Sequence, residues 1–191
     1  MDRSAVLLVF ALLLPFGAAA RDGASDVVRH VLDGDSVVLA DQRQVRLIGI
    51  NAPEFGKDGR PDEPLAVAAR DRLRTLVQGK TVKLQFETEE RDHYGRWLAH
   101  MVLADGTKVQ EALLKEGLVA AIAVPPNVAQ VQRHQAAEAQ ARKARRGLWK
   151  EPYFQPIAAE SLTTDHTGFH FVRGRVTHVG RSKKFVYLDI G

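Results

Sequence analysis

The sequence predicts an α+β fold: a mainly antiparallel five-stranded β-barrel with about three packed helices, plus a short C-terminal β-hairpin extension. Three observations predict it. Short apolar stretches broken by polar turns near residues 33–35 and 41–44 form a three-stranded meander. Two more alternating stretches flank a charged loop near residues 88–96. Three segments of helical periodicity each end at a glycine, Gly79, Gly117 or Gly147, where a left-handed C-terminal residue is wanted.

Taken in order, residues 26–32 carry Val27, Val28 and Val31 and end at the Asp33-Gly34-Asp35 turn. Residues 36–40 and 45–50 are the next two strands, and 52–62 is a loop punctuated by Pro53, Gly56, Gly59 and Pro61. A helix is expected over 63–78, capped by Asp62, with Leu65, Ala69, Leu73, Leu76 and Val77 on one face. Val82, Leu84 and Phe86 alternate through a strand at 81–87, and 97–103 is its partner. A short helix at 109–116, an apolar run at 118–124 and a long helix at 128–146 follow, and Leu148-Trp149 packs back on the core. Three strands, helix, two strands and two helices make an oligonucleotide-binding (OB-type) barrel the natural candidate. After a linker from Pro156 to Thr167, residues 169–179 and 185–190 alternate as a hairpin through 180–184. A lone hairpin is marginally stable, so it docks on the main domain, pairs with another chain, or begins a further module.

The composition is that of a globular protein: 191 residues, 45% hydrophobic and 26% charged. Residues 1–20 read as a secretory signal peptide: Arg3, an apolar run over 5–16, then Ala18-Ala19-Ala20 before a cut ahead of Arg21. The run is short for a membrane anchor, so a secreted or periplasmic protein with no stable membrane association is expected. Residues 25–155 form the main domain and 156–191 the extension. Removing Asp2 and Arg3 with the leader leaves the formal charge at +4. The excess is concentrated over 133–150, where Arg133, Arg142, Lys143, Arg145, Arg146 and Lys150 face the single acid Glu138. That suits an anionic partner, and equally a solvated helix face. There is no cysteine, which excludes disulfides, thiol catalysis and cysteine-ligated zinc.

The chemistry is carried by three fragments. Asp33-Gly34-Asp35 supplies carboxylates, the stretch 45–54 supplies Arg46 and Glu54, and Asp92-His93-Tyr94-Gly95-Arg96 adds a second arginine. Carboxylates to hold a divalent cation and arginines to clamp a phosphate are what phosphodiester cleavage requires. Each fragment alone is weak, because Asp-Gly is an ordinary turn and surface arginines are common. The three together, in this order, are specific. The seven histidines add nothing: His166 and His170 are four apart with Gly168 between them, which is poor metal-ligand spacing.

From about Asp26 to Trp149 the chain resembles the staphylococcal nuclease (thermonuclease) family. The resemblance rests on 31–36, 45–47, Ala52-Pro53-Glu54, 92–96, Glu111-Ala112-Leu113 and Gly147-Leu148-Trp149. It implies an OB-type barrel and a calcium-dependent endonuclease that hydrolyses DNA and RNA and prefers single-stranded or unwound substrate. Carried over, Asp35 matches the metal-binding aspartate, Arg46 and Arg96 the phosphate-clamping arginines, Glu54 the catalytic glutamate, and Tyr94 a tyrosine on the substrate phosphate. Calcium is a hard cation that takes oxygen ligands; manganese or another divalent cation is the substitute.

Two departures bear on function. Asn51 and Ala52 stand where the family usually has aspartate and threonine. Asn51 still offers a neutral oxygen and Ala52 its main-chain carbonyl, but one negative charge is missing, which predicts weaker calcium binding unless Asp33 or a substrate phosphate makes it up. Residues 120–126 hold no aromatic where the family places base-stacking tyrosines. The expectation is a monomeric enzyme; the alternative is a catalytically weak or inactive nucleic-acid-binding module on the same barrel, which Asn51 favours and which leaves Glu54 without a purpose.

Overall fold

The computed structural model describes residues 21–166, 168–181 and 186–190. The leader read at 1–20 lies outside the described residues, as does most of the turn expected at 180–184. Five strands close into a barrel: β1 (Arg21–Val31), β2 (Ser36–Leu39), β3 (Gln44–Leu47), β5 (Thr81–Phe86) and β6 (Trp97–Leu103), in the order β1-β2-β3-β6-β5. Every pairing is antiparallel except β3 with β6, which run parallel with Arg46 opposite Leu98. This is the OB-type α+β architecture that the sequence predicts. Alternation does the work: in β5 Val82, Leu84 and Phe86 point inward while Lys83 and Gln85 stay half-exposed. They meet Val28, Val37, Leu39, Val45, Leu47 and Met101 in one core.

Three helices cover the barrel: α1 (Ala66–Val77), α2 (Val109–Glu116) and α3 (Val131–Lys143). α1 buries Ala69, Leu73, Leu76 and Val77, the face that the periodicity predicts. It starts later than expected, and Asp62 is not its cap. Pro64 disfavours helical geometry at the residue before it, and Leu65 turns left-handed at φ +71° just ahead of the first turn. The two acids are used inside the loop: Asp62 accepts from the Gly56 N–H at 2.9 Å and Glu63 from the Glu54 N–H at 2.9 Å. α3 is shorter than 128–146, and Arg145 at φ +49° marks the break.

Other boundaries shift for physical reasons. β1 begins at Arg21 rather than 26, because its polar first half is recruited by backbone pairing with β5. The strand expected at 45–50 is two: Gly49 at φ +78° separates β3 from β4 (Ile50–Asn51), which pairs instead with β7 (Ala120–Ala121). The stretch 169–179 is likewise broken. β9 (Val172–Arg173) lies parallel to β8 (Ile157–Ala158), and only β10 (Val176–Arg181) forms the hairpin with β11 (Val186–Ile190). Phe169 and Phe171 pack against a small cluster of Ala120, Leu148 and Phe154, so the extension docks on the main body.

Candidate nuclease site

The Asp33-Gly34-Asp35 turn is held by its own first residue, whose Oδ1 accepts the Asp35 N–H at 2.9 Å. Gly34 is packed so closely that a Cβ there would stand 2.6 Å from the Ala52 Cβ and 2.7 Å from the Ala69 Cβ. The turn is thereby seated between the chain after β4 and α1. It delivers Asp35 to the interior, where the residue is 4% exposed. Its Oδ2 accepts from the Ala52 N–H at 2.8 Å and from Arg46 Nη2 at 3.0 Å, and its Oδ1 from Ser36 Oγ at 3.1 Å. Burial pushes the Asp35 carboxyl up to about 7, with Arg46 pulling the other way.

Arg46 alternates with the inward Val45 and Leu47 on β3 and is half-buried. Nη1 donates to the carbonyls of Leu47 at 2.7 Å and Ile50 at 3.0 Å, and Nη2 donates to Asn51 Oδ1 at 3.3 Å as well as to Asp35. Four acceptors fix the guanidinium plane and leave its Nε edge free of protein partners among the described residues. Asp35, Arg46, Asn51 and the Ala52 amide are thus one assembly.

Arg96 arrives just ahead of the adjacent strand, β6. Asp92 Oδ1 accepts the N–H groups of Tyr94 at 3.0 Å and Arg96 at 2.9 Å, while its Oδ2 accepts Arg96 Nε at 2.7 Å. Burial raises the Asp92 carboxyl, but the bonds from Arg96 outweigh it and hold it below the usual range. The Arg96 guanidinium lies 5.5 Å from the centroid of the Tyr94 ring, which is 74% exposed. Since β3 and β6 are neighbours, Arg46 and Arg96 line one cavity of about 330 Å³. Its far wall is aliphatic, with Leu98, Ile122 and Val124, as the missing aromatics predict.

Glu54 is exposed and does not line that cavity. Its main chain is fastened twice to Glu63, whose Oε2 accepts the Glu54 N–H and whose own N–H donates to the Glu54 carbonyl at 2.9 Å. Its side chain has no hydrogen bond among the described residues and borders a second cavity, of about 390 Å³, with Phe55, Lys57, Arg60, Tyr153 and Phe169. Sequence reasoning missed Glu63, Asp92 and Tyr153 as supporting residues. Asp92 had a signal, an acid four residues before Arg96; Glu63 and Tyr153 had none beyond an acid before a proline and an aromatic near a predicted linker.

The donor set expected from the sequence for a cation is Asp35, Asn51 Oδ1 and the Ala52 carbonyl. All are oxygens, which suits a hard divalent ion, but only one is charged. Among the described residues no group of three or more histidines and acids could hold a metal by itself. The residues fit such an ion in kind and need further oxygens, from water or a bound phosphate, to complete the shell.

The family model described as staphylococcal nuclease homologue matches residues 44–151. The chain is 32% identical to the thermonuclease of Staphylococcus hyicus over 141 residues, covering 71% of this chain and 83% of that protein. It is 33% identical to the thermonuclease of Staphylococcus intermedius over 141 residues, with the same coverage of 71% and 83%. It is 32% identical to endonuclease YncB of Bacillus subtilis over 127 residues, covering 64% of this chain and 60% of that protein.

Proposed function

The chain belongs to the staphylococcal nuclease family and is a hydrolase acting on phosphodiester bonds, and from that premise we propose an exported, monomeric, divalent-cation-dependent endonuclease that cleaves DNA and RNA with preference for single-stranded or unwound strands. Calcium is the cation proposed, with manganese as the substitute. The secreted or periplasmic destination rests on the leader read at 1–20, and the domain division at 155/156 on the change in sequence texture.

One observation carries the reading: two arginines, one on β3 and one just ahead of its neighbour β6, line one cavity, and the first is locked by a buried carboxylate. Arginine donates paired hydrogen bonds to phosphate oxygens and stays charged throughout. Arg46 offers one remaining donor, its Nε–H, with the other four held by the protein. Arg96 exchanges the Asp92 carboxylate for the entering phosphate. Together they stabilise the charge that builds on the phosphoryl oxygens as water attacks and the 5′-oxygen departs, leaving a 3′-phosphate. Glu54 takes the proton of the attacking water. Its side chain turns from the second cavity to do so, which is open to it because only its main chain is held. Asp35, Asn51 and the Ala52 carbonyl would hold the cation, which supplies charge neutralisation at the phosphate when bound.

A binding module with little turnover is the second reading, favoured by the lone carboxylate of the cation set and by the distance of Glu54 from the first cavity. One assay separates the two. The mature chain is incubated with heat-denatured DNA in calcium, manganese or chelator, beside Arg96→Ala. Metal-dependent cleavage that falls by about 10²–10³ in the variant is expected, the loss typical of one charge-stabilising donor. A gel shift without cleavage under every condition supports the binding module instead.

A further inference from the structure

We propose that the second cavity is a nucleobase-stacking subsite, which holds a base of the same single strand whose phosphate sits between Arg46 and Arg96. The inference rests on the nuclease reading for its substrate and on separate residues for its geometry. The first cavity has an aliphatic wall of Leu98, Ile122 and Val124, and the aromatic ring in its lining is that of His93. The second has three: Phe55, with Arg70 over its ring at 5.1 Å, Phe169, which also packs on the Leu148 and Phe154 cluster, and Tyr153. Tyr153 is 42% exposed, so its ring is open to a flat ligand. Two cations stand at the same place. Lys57 and Arg60 occupy the ends of a tight turn, in which the Arg60 N–H donates to the Lys57 carbonyl at 3.1 Å around Asp58 at φ +56° and Gly59 at φ +81°. Both are exposed, placed for the phosphates that flank a stacked base. Aromatic faces interleaved with exposed cations are the usual means of holding single strands without sequence preference.

Of the three acids that line this cavity, Glu54 is exposed at its rim and the other two are committed to protein donors. Asp62 is committed to the Gly56 N–H, and Glu63 to the Glu54 N–H and to the Tyr153 hydroxyl at 3.2 Å. What they face is a base edge, whose N–H groups are donors (the N3–H in thymine), and the phosphates fall to Lys57 and Arg60. Position agrees as well. Ile50 lines the first cavity and Glu54 the second, four residues further on. At most about 14 Å of chain separates them, within reach of a short oligonucleotide. Tyr153 and Phe169 come from the segment after the barrel, so that segment would extend the strand-binding surface past the reacting phosphate.

The test is fluorescence anisotropy of end-labelled thymidine dinucleotide and hexanucleotide, in chelator, with the whole mature chain. The wild type is expected to bind the hexamer more tightly than the dimer. Phe55→Ala and Tyr153→Ala reduce hexamer affinity about 5- to 150-fold, the range set by one lost stack of roughly 1–3 kcal/mol, and leave the dimer unchanged. Tyr153→Leu keeps apolar bulk without a π-face and guards against a folding defect; it behaves like Tyr153→Ala. Tyr153→Phe keeps the face, loses the Glu63 bond, and binds like wild type. Equal weakening of dimer and hexamer, or hexamer binding unaffected by all three face-removing variants, overturns the subsite. Because the readout is binding without turnover, failure of the nuclease reading shows separately, as absent cleavage by a protein that still gains affinity with length.

Discussion

Asn51 is where a single side chain decides the strength of the site. It stands 3.3 Å from Arg46 Nη2 through its Oδ1 and beside the buried Asp35, so its oxygen is in the right assembly with no charge to offer. Asn51→Asp is expected to tighten calcium binding by about tenfold, the change given by 1.4 kcal/mol of added attraction. Isothermal titration checks it, and an unchanged affinity shows that residue 51 is not a ligand. His134 controls a different property. It is 3% exposed, rests against Gly49, and lies 5.4 Å from the His100 ring; burial and then His100 lower its pKa from 6.5 to about 4. The unfolded chain binds this proton more readily than the fold does. Stability from this residue is therefore complete above about pH 6.5 and is lost as pH falls toward 4, by on the order of 3 kcal/mol. His134→Gln should flatten urea-derived stability across that window; a slope unaltered by the substitution removes His134 as its cause.

Secondary elements were legible where side chains alternate and obscure where backbone or loop chemistry decides. Val82, Leu84 and Phe86 announce β5, and Leu73, Leu76 and Val77 announce α1. The start of α1 was hidden because Asp62 and Glu63 look like capping residues, yet their carboxylates serve the loop that carries Glu54. The break between β3 and β4 was equally hidden, since Gly49 sits in an unbroken apolar pattern. The break turns the carbonyls of Leu47 and Ile50 toward Arg46, which donates to both. The first turn offers a test at this scale. Gly34→Ala drives a methyl group to within 2.6 Å of the Ala52 Cβ and 2.7 Å of the Ala69 Cβ. It should cost about 1–3 kcal/mol by chemical denaturation, as overpacking does. A variant as stable as wild type would mean that α1 yields to the turn.

The whole molecule is assembled from contacts that no local pattern reveals. Which strands are neighbours in the barrel cannot be read from alternation, and the parallel seam of β3 and β6 is the least readable of all. The docking of Phe169 and Phe171 beside Leu148 and Phe154 belongs to the same class. The candidate site was legible as a list of residue types, but not which carboxylate Arg46 would pair with. The separation of Glu54 from the arginine cavity was not, because it depends on how the loop is tied to Glu63. The seam has a temporal consequence. Two guanidinium groups far apart along the chain become partners only once β3 and β6 pair, and such long-range closures are slow steps. In a Trp149→Phe background, turnover should therefore reappear after dilution from urea with the same rate constant as the emission change of Trp97, without an early burst. Activity that outruns that signal would show an arginine clamp able to form in a half-built protein.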